Sequence, residues 1–432
     1  MITREDCLAL DAADPLKSLR DHFALDQADA SGLVYLDGNS LGPLPRVTPA
    51  RLAQVASDEW GRGLIRSWNT AGWITLAHRV GDKIARLVGA GPGEVAVADS
   101  TSANLYKVLS AAVALVKADE PTRRCIVSER TNFPSDLYIA DTLACERGFS
   151  LRLIDSDDLL TQIDETAAVV MLTHVNYRTG RMHDLRAITR AAHSVGALMV
   201  WDLSHSVGAV PVNLGGRGAD EDAADFAVGC GYKYLNGGPG APAFLWVHPR
   251  LTERMDRDGW RQPLSGWLGH AAPFDFSTDY HPAPGIARFV CGTPPILSLA
   301  ALECGVDVVL AAETFGGLSA LREKSLRLTA LFIDLVESRC AGDGLSVVTP
   351  RESDARGSQV SLAHPSDGYA IMQALIARGV IGDFRAPDIL RFGFAPLYTR
   401  FADVWDAVDR LAHVLQRGEW RQPQFSVRAA VT

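Results

Sequence analysis

The sequence is short of cysteine pairs. Its seven cysteines, at positions 7, 125, 145, 230, 291, 304 and 340, are scattered, odd in number and never spaced CxxC. Neither a disulfide framework nor a thiolate zinc site is expected, no metal is called for, and a reducing, cytoplasmic setting fits. Long hydrophobic runs are also missing: none approaches the ~20 residues of a membrane span. The first residues, "MITREDCLALDAADPL", carry acids where a secretory signal would have a basic start and an apolar core. Basic residues are in deficit, 42 Lys and Arg against 51 Asp and Glu for a net charge of −9. A nucleic-acid or anionic-membrane surface would need the opposite balance. Internal repeats and low-complexity tracts are absent as well.

What is present is apolar bulk. With 432 residues, 47% of them hydrophobic, the chain can bury a sizeable core and is expected to divide into one large and one small domain. Apolar runs of strand length recur: "EVAVAD" (94–99), "RCIVSE" (124–129), "AAVVMLTHV" (167–175), "ALMVWD" (197–202) and "DFAVGCG" (225–231). Between the third and fourth, Leu185, Ile188, Ala192 and Val195 share a helical face. Continuous rather than alternating apolar strands imply burial on both faces, the pattern of a parallel sheet covered by helices. Beyond residue 300 a long helical stretch is expected over 312–340, with Leu321, Leu328, Leu331 and Leu335 at helical spacing; short strands follow at "SQVSLAH" and "DILRFGF". The expected division is an N-terminal segment, 1–45, packing with the small domain; a large domain, 46–310; and a smaller α+β domain, 311–432.

In parallel α/β sheets ligands gather at the carboxyl ends of strands, so the polar residues after each apolar run carry the chemistry. Ser100, Thr101 and Ser102 open a helix, where hydroxyls and free N–H groups suit a phosphate; the plain alternative is an ordinary N-cap. Phe133 precedes Pro134 at a helix start and could stack on a flat ring, or simply fill core, while Asp136 suits a helix start. Asp202 ends a buried strand, with His205 three residues on, and a buried carboxylate needs a cationic or hydrogen-bonding partner such as a protonated pyridine nitrogen. Lys233 follows another buried strand and precedes Gly237, Gly238 and Gly240, which leave room for a ligand to approach the backbone. Singly, each residue has a structural or surface reading. Together, a phosphate cup, an aromatic face, a buried acid and a lysine at successive strand ends describe a pyridoxal phosphate site. There the lysine forms a Schiff base and the acid keeps the ring an electron acceptor, with Tyr232 able to bind phosphate or relay a proton.

These residues resemble the aminotransferase-like, fold type I superfamily and, within it, the kynureninases. The likeness runs through nearly the whole chain: "YLDGNSLGPLP" (35–45), "NFPSD" (132–136), "HVNYRTGRMHDL" (174–185), "WDLSHSVGAVPV" (201–212), "YKYLNGGPG" (232–240), "SGWLGH" (265–270), "GTPPILSL" (292–299) and "LRFGFAPLY" (390–398). It implies a mostly parallel, seven-stranded sheet sandwiched by helices, with a smaller α+β domain built from the C-terminus and the N-terminal segment. It implies pyridoxal 5′-phosphate as cofactor, Lys233 as Schiff-base lysine and general base, Asp202 as pyridinium partner, Phe133 as stacking ring and Tyr232 as proton relay. Thr101, Ser102, Pro134, Ser135, Asp136, Thr173 and His205 fall at cofactor-contact positions. Trp267 and Thr293 fall where the family reaches into a partner subunit's site, which implies a homodimer with shared active sites. Arg391 falls where the substrate α-carboxylate is paired, a task suited to a guanidinium; read without the family it could be an outward-facing strand residue. Trp68 and Asn39 complete the implied substrate set.

The implied reaction is hydrolysis of L-kynurenine to anthranilate and L-alanine in tryptophan breakdown. Trp68 and Gly292-Thr293 stand where relatives preferring the hydroxylated substrate carry His and Ser-Asn, which favours unmodified L-kynurenine, with 3-hydroxykynurenine as a second substrate. A cysteine desulfurase or selenocysteine lyase is the rival within the fold. It would need a thiol on a mobile loop, whereas Cys340 ends a helix-like stretch. An ordinary aminotransferase matches these motifs less well. A nucleotide-binding oxidoreductase would need GxGxxG after a strand, but "GAGPGE" (89–94) precedes one and reads as a turn. A non-enzymatic scaffold would be expected to have lost Lys233, Asp202 or Arg391.

Overall fold

The computed structural model describes residues 2–156, 159–216 and 222–428; residue 1 and residues 429–432, the outer ends of the expected first and last segments, lie outside the described residues. A two-residue strand, β1 (Val34–Tyr35), precedes the main sheet. That sheet comprises β2 (Val95–Val97), β3 (Cys125–Glu129), β4 (Ser150–Ile154), β5 (Ala167–Thr173), β6 (Leu198–Asp202), β7 (Phe226–Gly229) and β8 (Phe244–Val247), in the order β2-β8-β7-β6-β5-β3-β4. Only β8 runs antiparallel to its neighbours, β2 and β7. Each of the five apolar runs forms a strand. β4 and β8 are additions: β4 is a half-exposed edge, and β8 is four residues long, directly after a glycine- and proline-rich turn.

Burial on both faces explains the unbroken apolar runs. Along β5, Val170 and Leu172 join one core with Val80 and Ile84 of the helix Trp73–Val88 and Ile188 of Leu185–Ser194. Val169 and Met171 join the core beneath the other face, with Leu105 and Leu109 of the helix Thr101–Asp119 and Leu143 of Pro134–Arg147. At about 1.5–3 kcal/mol for each large apolar side chain removed from water, these two layers fix the sheet's register and hence where its strand ends fall. The stretch 89–94 is the turn leading from Val88 into β2, with Gly89 and Gly93 at positive φ.

The later residues build a second core. β9 (Ser346–Val347), β10 (Gln359–Ala363), β12 (Asp383–Arg385) and β13 (Ile389–Gly393) form an antiparallel sheet in the order β12-β13-β10-β9, while β11 (Val380–Ile381) pairs in parallel with β1. Val360, Leu390 and Phe392 pack with Phe332 of the helix Gly317–Arg339 and Leu411 of Phe401–Gln416. Cys7, Val34 and Leu36 join this cluster, whereas Leu16, Leu19 and Phe23 pack into the large core. The helix expected over 312–340 is interrupted: a tight 3-10 turn, Ala311–Phe315, precedes Gly316 at φ 101° and Gly317 at φ 65°. Only glycine enters that region without strain, so the long helix starts at Gly317. No helix among the described residues is long and apolar enough to cross a membrane.

Candidate active site

A cavity of about 450 Å³ opens at the carboxyl edge of the large sheet. Its walls are the runs that follow each strand. After β2 come Asp99, Ser100, Thr101 and Ser102. Ser100 caps the helix Thr101–Asp119, its Oγ accepting from Ala103 N at 3.3 Å, and the first-turn N–H groups of that helix have no intrahelical acceptor. Asp99 takes the left-handed conformation, φ 49°. The fully buried Lys107 holds it, donating through Nζ to the Asp99 carboxylate and, at 2.6 Å, to the Phe289 carbonyl. That ion pair cancels a charge that would otherwise oppose an anion at the cup.

After β3, Asn132 Oδ1 accepts from Phe133 N at 2.7 Å and from the hydroxyl of Thr173, the last residue of β5. Pro134 then opens the next helix, with Ser135 and Asp136 on the cavity wall. β6 ends in the buried Asp202, whose Oδ1 accepts from Ser204 N at 2.8 Å, and His205 follows. β7 delivers Tyr232 and Lys233. Because β8 is antiparallel, the residues before it, Ala241 to Ala243, return to the same edge, and Pro295 completes the rim. The N-terminal segment docks against this loop, Gly42 N donating to the Tyr232 carbonyl at 2.8 Å.

Lys233 is half-buried, not a solvated surface cation: its Nζ lies 2.8 Å from His205 Nε2 and about 6 Å from the ring centres of Phe133 and Tyr232 (5.9 and 6.0 Å). Burial, and next to it the Lys233 charge, holds His205 well below the ordinary imidazole range. Burial also pushes the Tyr232 phenol up to about 12. Asp136 faces Asp202, and burial plus that neighbouring charge raise it well above the usual carboxylate range, against the opposing charge of Lys233. Phe133 does not fill core; it is 38% exposed and sits edge-on to Tyr177, centroids 5.1 Å apart.

These groups fit a phosphorylated pyridine aldehyde. His205 Nδ1, on the cavity wall, is buried without a hydrogen-bond partner that a bound group could supply, and a protonated ring nitrogen on Asp202 would relieve the crowding of two carboxyls. The helix start with Thr101 and Ser102 suits the phosphate, Phe133 offers a ring face, and Lys233 the amine.

The remaining sequence-predicted residues lie off this cavity. Arg391 is 2% exposed, so it does not face outward from its strand. It donates to the Asp383 carboxylate through Nε (2.8 Å) and Nη2, to Ser40 Oγ (2.8 Å) and to the carbonyl of the cavity residue Tyr177 (2.8 Å). Asn39 is buried nearby, donating to Gln359 Oε1 at 3.4 Å. Trp68 lies edge-on between Trp73 and Trp267, at 6.3 and 6.2 Å. Thr293 is exposed on the loop two positions before Pro295. The sequence reading did not single out Tyr177, Asn132, Asp99 or Asp383. Tyr177 and Asn132 stand in strand-end stretches, and that position is the signal that marks them. Cys340 is buried at the end of its helix with its thiol pushed up to about 12, the reverse of a reactive loop cysteine.

A seven-stranded, mostly parallel sheet that gathers a phosphate cup, a carboxyl pair and a lysine at its carboxyl edge defines a pyridoxal-phosphate enzyme of fold type I. Solved structures agree on the fold. A cysteine desulfurase from Thermococcus onnurineus superposes with a TM-score of 0.75 at 20% identity, over 93% of this chain and 98% of that one. A cystine C–S lyase bound to cysteine persulfide gives 0.74 at 16%, over 89% and 98%. A family model for the kynureninase C-terminal domain matches residues 321–411. Curated kynureninases from Burkholderia pseudomallei and Pseudomonas fluorescens are each 56% identical over 100% of both chains. The chain belongs to the kynureninase family.

Proposed function

We propose that this chain hydrolyses L-kynurenine between Cβ and Cγ, releasing anthranilate and L-alanine in tryptophan catabolism, with 3-hydroxykynurenine as a second, poorer substrate. What carries the reading is the placement of Lys233 beside His205 in a cavity that fits the cofactor, within a chain of this family. When bound, pyridoxal 5′-phosphate supplies the electron sink that makes the substrate Cα–H acidic.

The protein's own groups do the rest. Thr101, Ser102 and Ser135, with the helix N–H groups, bind the phosphate, and Thr173 braces the strand end through Asn132. Asp202 would hold the ring nitrogen, and Phe133 would offer the ring face. Lys233 Nζ takes the Cα proton as general base and holds it for return. Tyr232, still a proton-bearing phenol at neutral pH, relays a proton to the carbonyl oxygen as water adds and to Cβ after cleavage. Arg391 orients the α-carboxylate, and Trp68 and Asn39 shape the rest of the substrate site.

We further place the functional unit as a cytoplasmic homodimer, supported by the free thiols of all seven cysteines and by Trp267 and Thr293, which are exposed off this chain's own cavity. The domain limits are placed at 1–45, 46–310 and 311–432. Incubating purified protein with pyridoxal phosphate and each substrate tests the function: anthranilate fluorescence is expected from L-kynurenine, faster than 3-hydroxyanthranilate from its analogue. Absence of both, with sulfide released from cysteine instead, overturns it. Sedimentation at twice 46.5 kDa is expected for the holoenzyme.

A further inference from the structure

Arg391 has almost nothing left with which to grip a substrate. A guanidinium offers five N–H groups. In Arg391, Nε–H and one Nη2–H go to Asp383, the other Nη2–H to Ser40 Oγ, and one Nη1–H to the Tyr177 carbonyl. A single Nη1–H remains, whereas a forked hold on a carboxylate uses two. Breaking one of the existing bonds in so buried a place would strand a polar group, so a second donor is required.

Arg385 meets that requirement. It lies on the same antiparallel pair, β12 with β13, where Asp383 is in register with Arg391. It donates to the same Asp383 carboxylate, through Nη2 at 2.7 Å. Its side chain is 40% exposed, and its Nε has no hydrogen-bond partner. Its charge reaches the cavity, adding slightly to the depression of His205 and offsetting a little of the rise that burial gives Tyr232. Of the cations that bear on His205, which are Lys233, Arg391 and Arg385, Lys233 is committed to proton transfer and Arg391 is nearly saturated. Two guanidinium groups on one carboxylate leave one positive charge over, the complement of a single α-carboxylate. Asp37, raised to about 7 by burial and by Asp383, does not fully cancel that charge at neutral pH.

We propose that Arg385 is a second substrate-binding arginine, sharing the amino-acid α-carboxylate with the last free N–H of Arg391 while Asp383 anchors both. This rests on the assignment of Arg391 to the substrate carboxylate. The test compares the wild-type holoenzyme with Arg385→Gln and Arg385→Lys, using L-kynurenine as substrate and its decarboxylated amine as competitive inhibitor. Loss of a hydrogen bond to a charged group predicts a rise in KM of roughly ten- to hundredfold for Arg385→Gln, with the inhibitor's Ki unchanged. Arg385→Lys, which keeps the charge but loses the fork, should fall between. An unchanged KM, or an equal rise in KM and Ki, overturns the inference. Should the wild type release no anthranilate, the functional reading fails separately, and the inference is decided by L-alanine binding to the holoenzyme. Weakening by the same factor in Arg385→Gln supports it, and unchanged affinity overturns it.

Discussion

Lys233 Nζ lies 2.8 Å from His205 Nε2, against an imidazole that is buried and held uncharged. A neutral acceptor at that distance fixes the amine's position without adding a second cation to the cavity. Replacing Lys233 with Ala is expected to lower kcat by about a thousandfold or more, since it removes the positioned base, and to abolish the near-visible absorbance of covalently held cofactor. A variant that keeps that band would refute the assignment.

The two carboxyls of the site are not equivalent. Asp136 is the one pushed toward its neutral form, by burial and by Asp202. An amide imitates a protonated carboxyl but not a charged one. Asp136→Asn should therefore keep kcat within about tenfold, whereas Asp202→Asn, which removes the charge facing the ring nitrogen, should cost about a thousandfold. Steady-state turnover of both variants, saturated with cofactor, checks the asymmetry, and equal losses would contradict it.

Gly42 is where the N-terminal segment meets the lysine loop. A Cβ there would sit 2.4 Å from Asn236 Oδ1 and 2.5 Å from the Lys233 carbonyl, so backbone must move. Gly42→Ala is expected to lose about 1–3 kcal/mol of stability and to weaken cofactor retention, although the residue bears no chemical group. Thermal melts and equilibrium dialysis of the cofactor read both effects; a variant matching wild type in each would show that the contact yields freely.

Asp37 gives a pH signature. Burial first, then Asp383, holds its carboxyl near 7 against an ordinary 3.8, offset in part by Ser40, Arg391 and Arg385; Tyr35, Tyr234 and Tyr398 also feel its charge. The folded state thus binds this proton more tightly than the unfolded chain. Its stability contribution is intact below about pH 4, is lost as pH rises through 7, and stays lost above. Asp37→Asn should match wild type near pH 4 and melt about 2–4 °C higher at pH 8. A difference that does not vary with pH would rule this out.

Lys233 and Asp202 were legible in the sequence because each directly follows an apolar run, and a buried parallel strand writes itself as such a run. β8 was not: "FLWV" is only four residues long and emerges from "GGPGAP", so loop chemistry masks it. The half-exposed edge β4, "SLRLI", lacks the continuous apolar signal for the opposite reason. Arg391 was found through its motif, but its saturation by Asp383 depends on the register of β12 against β13, and nothing local in the chain specifies that pairing. The same holds for the edge-on contact of Trp68 with Trp267, which joins residues about two hundred positions apart.

The helix Gly317–Arg339, about 34 Å long at 1.5 Å per residue, buries Leu321 in the large core and Leu328 and Phe332 in the small one. Neither core can melt its share without fraying a rod that the other also holds. The two halves are therefore expected to be coupled in unfolding, so that a ligand at the large sheet's edge should also slow amide exchange in the C-terminal sheet. Occupancy of the cavity becomes a property of the whole chain.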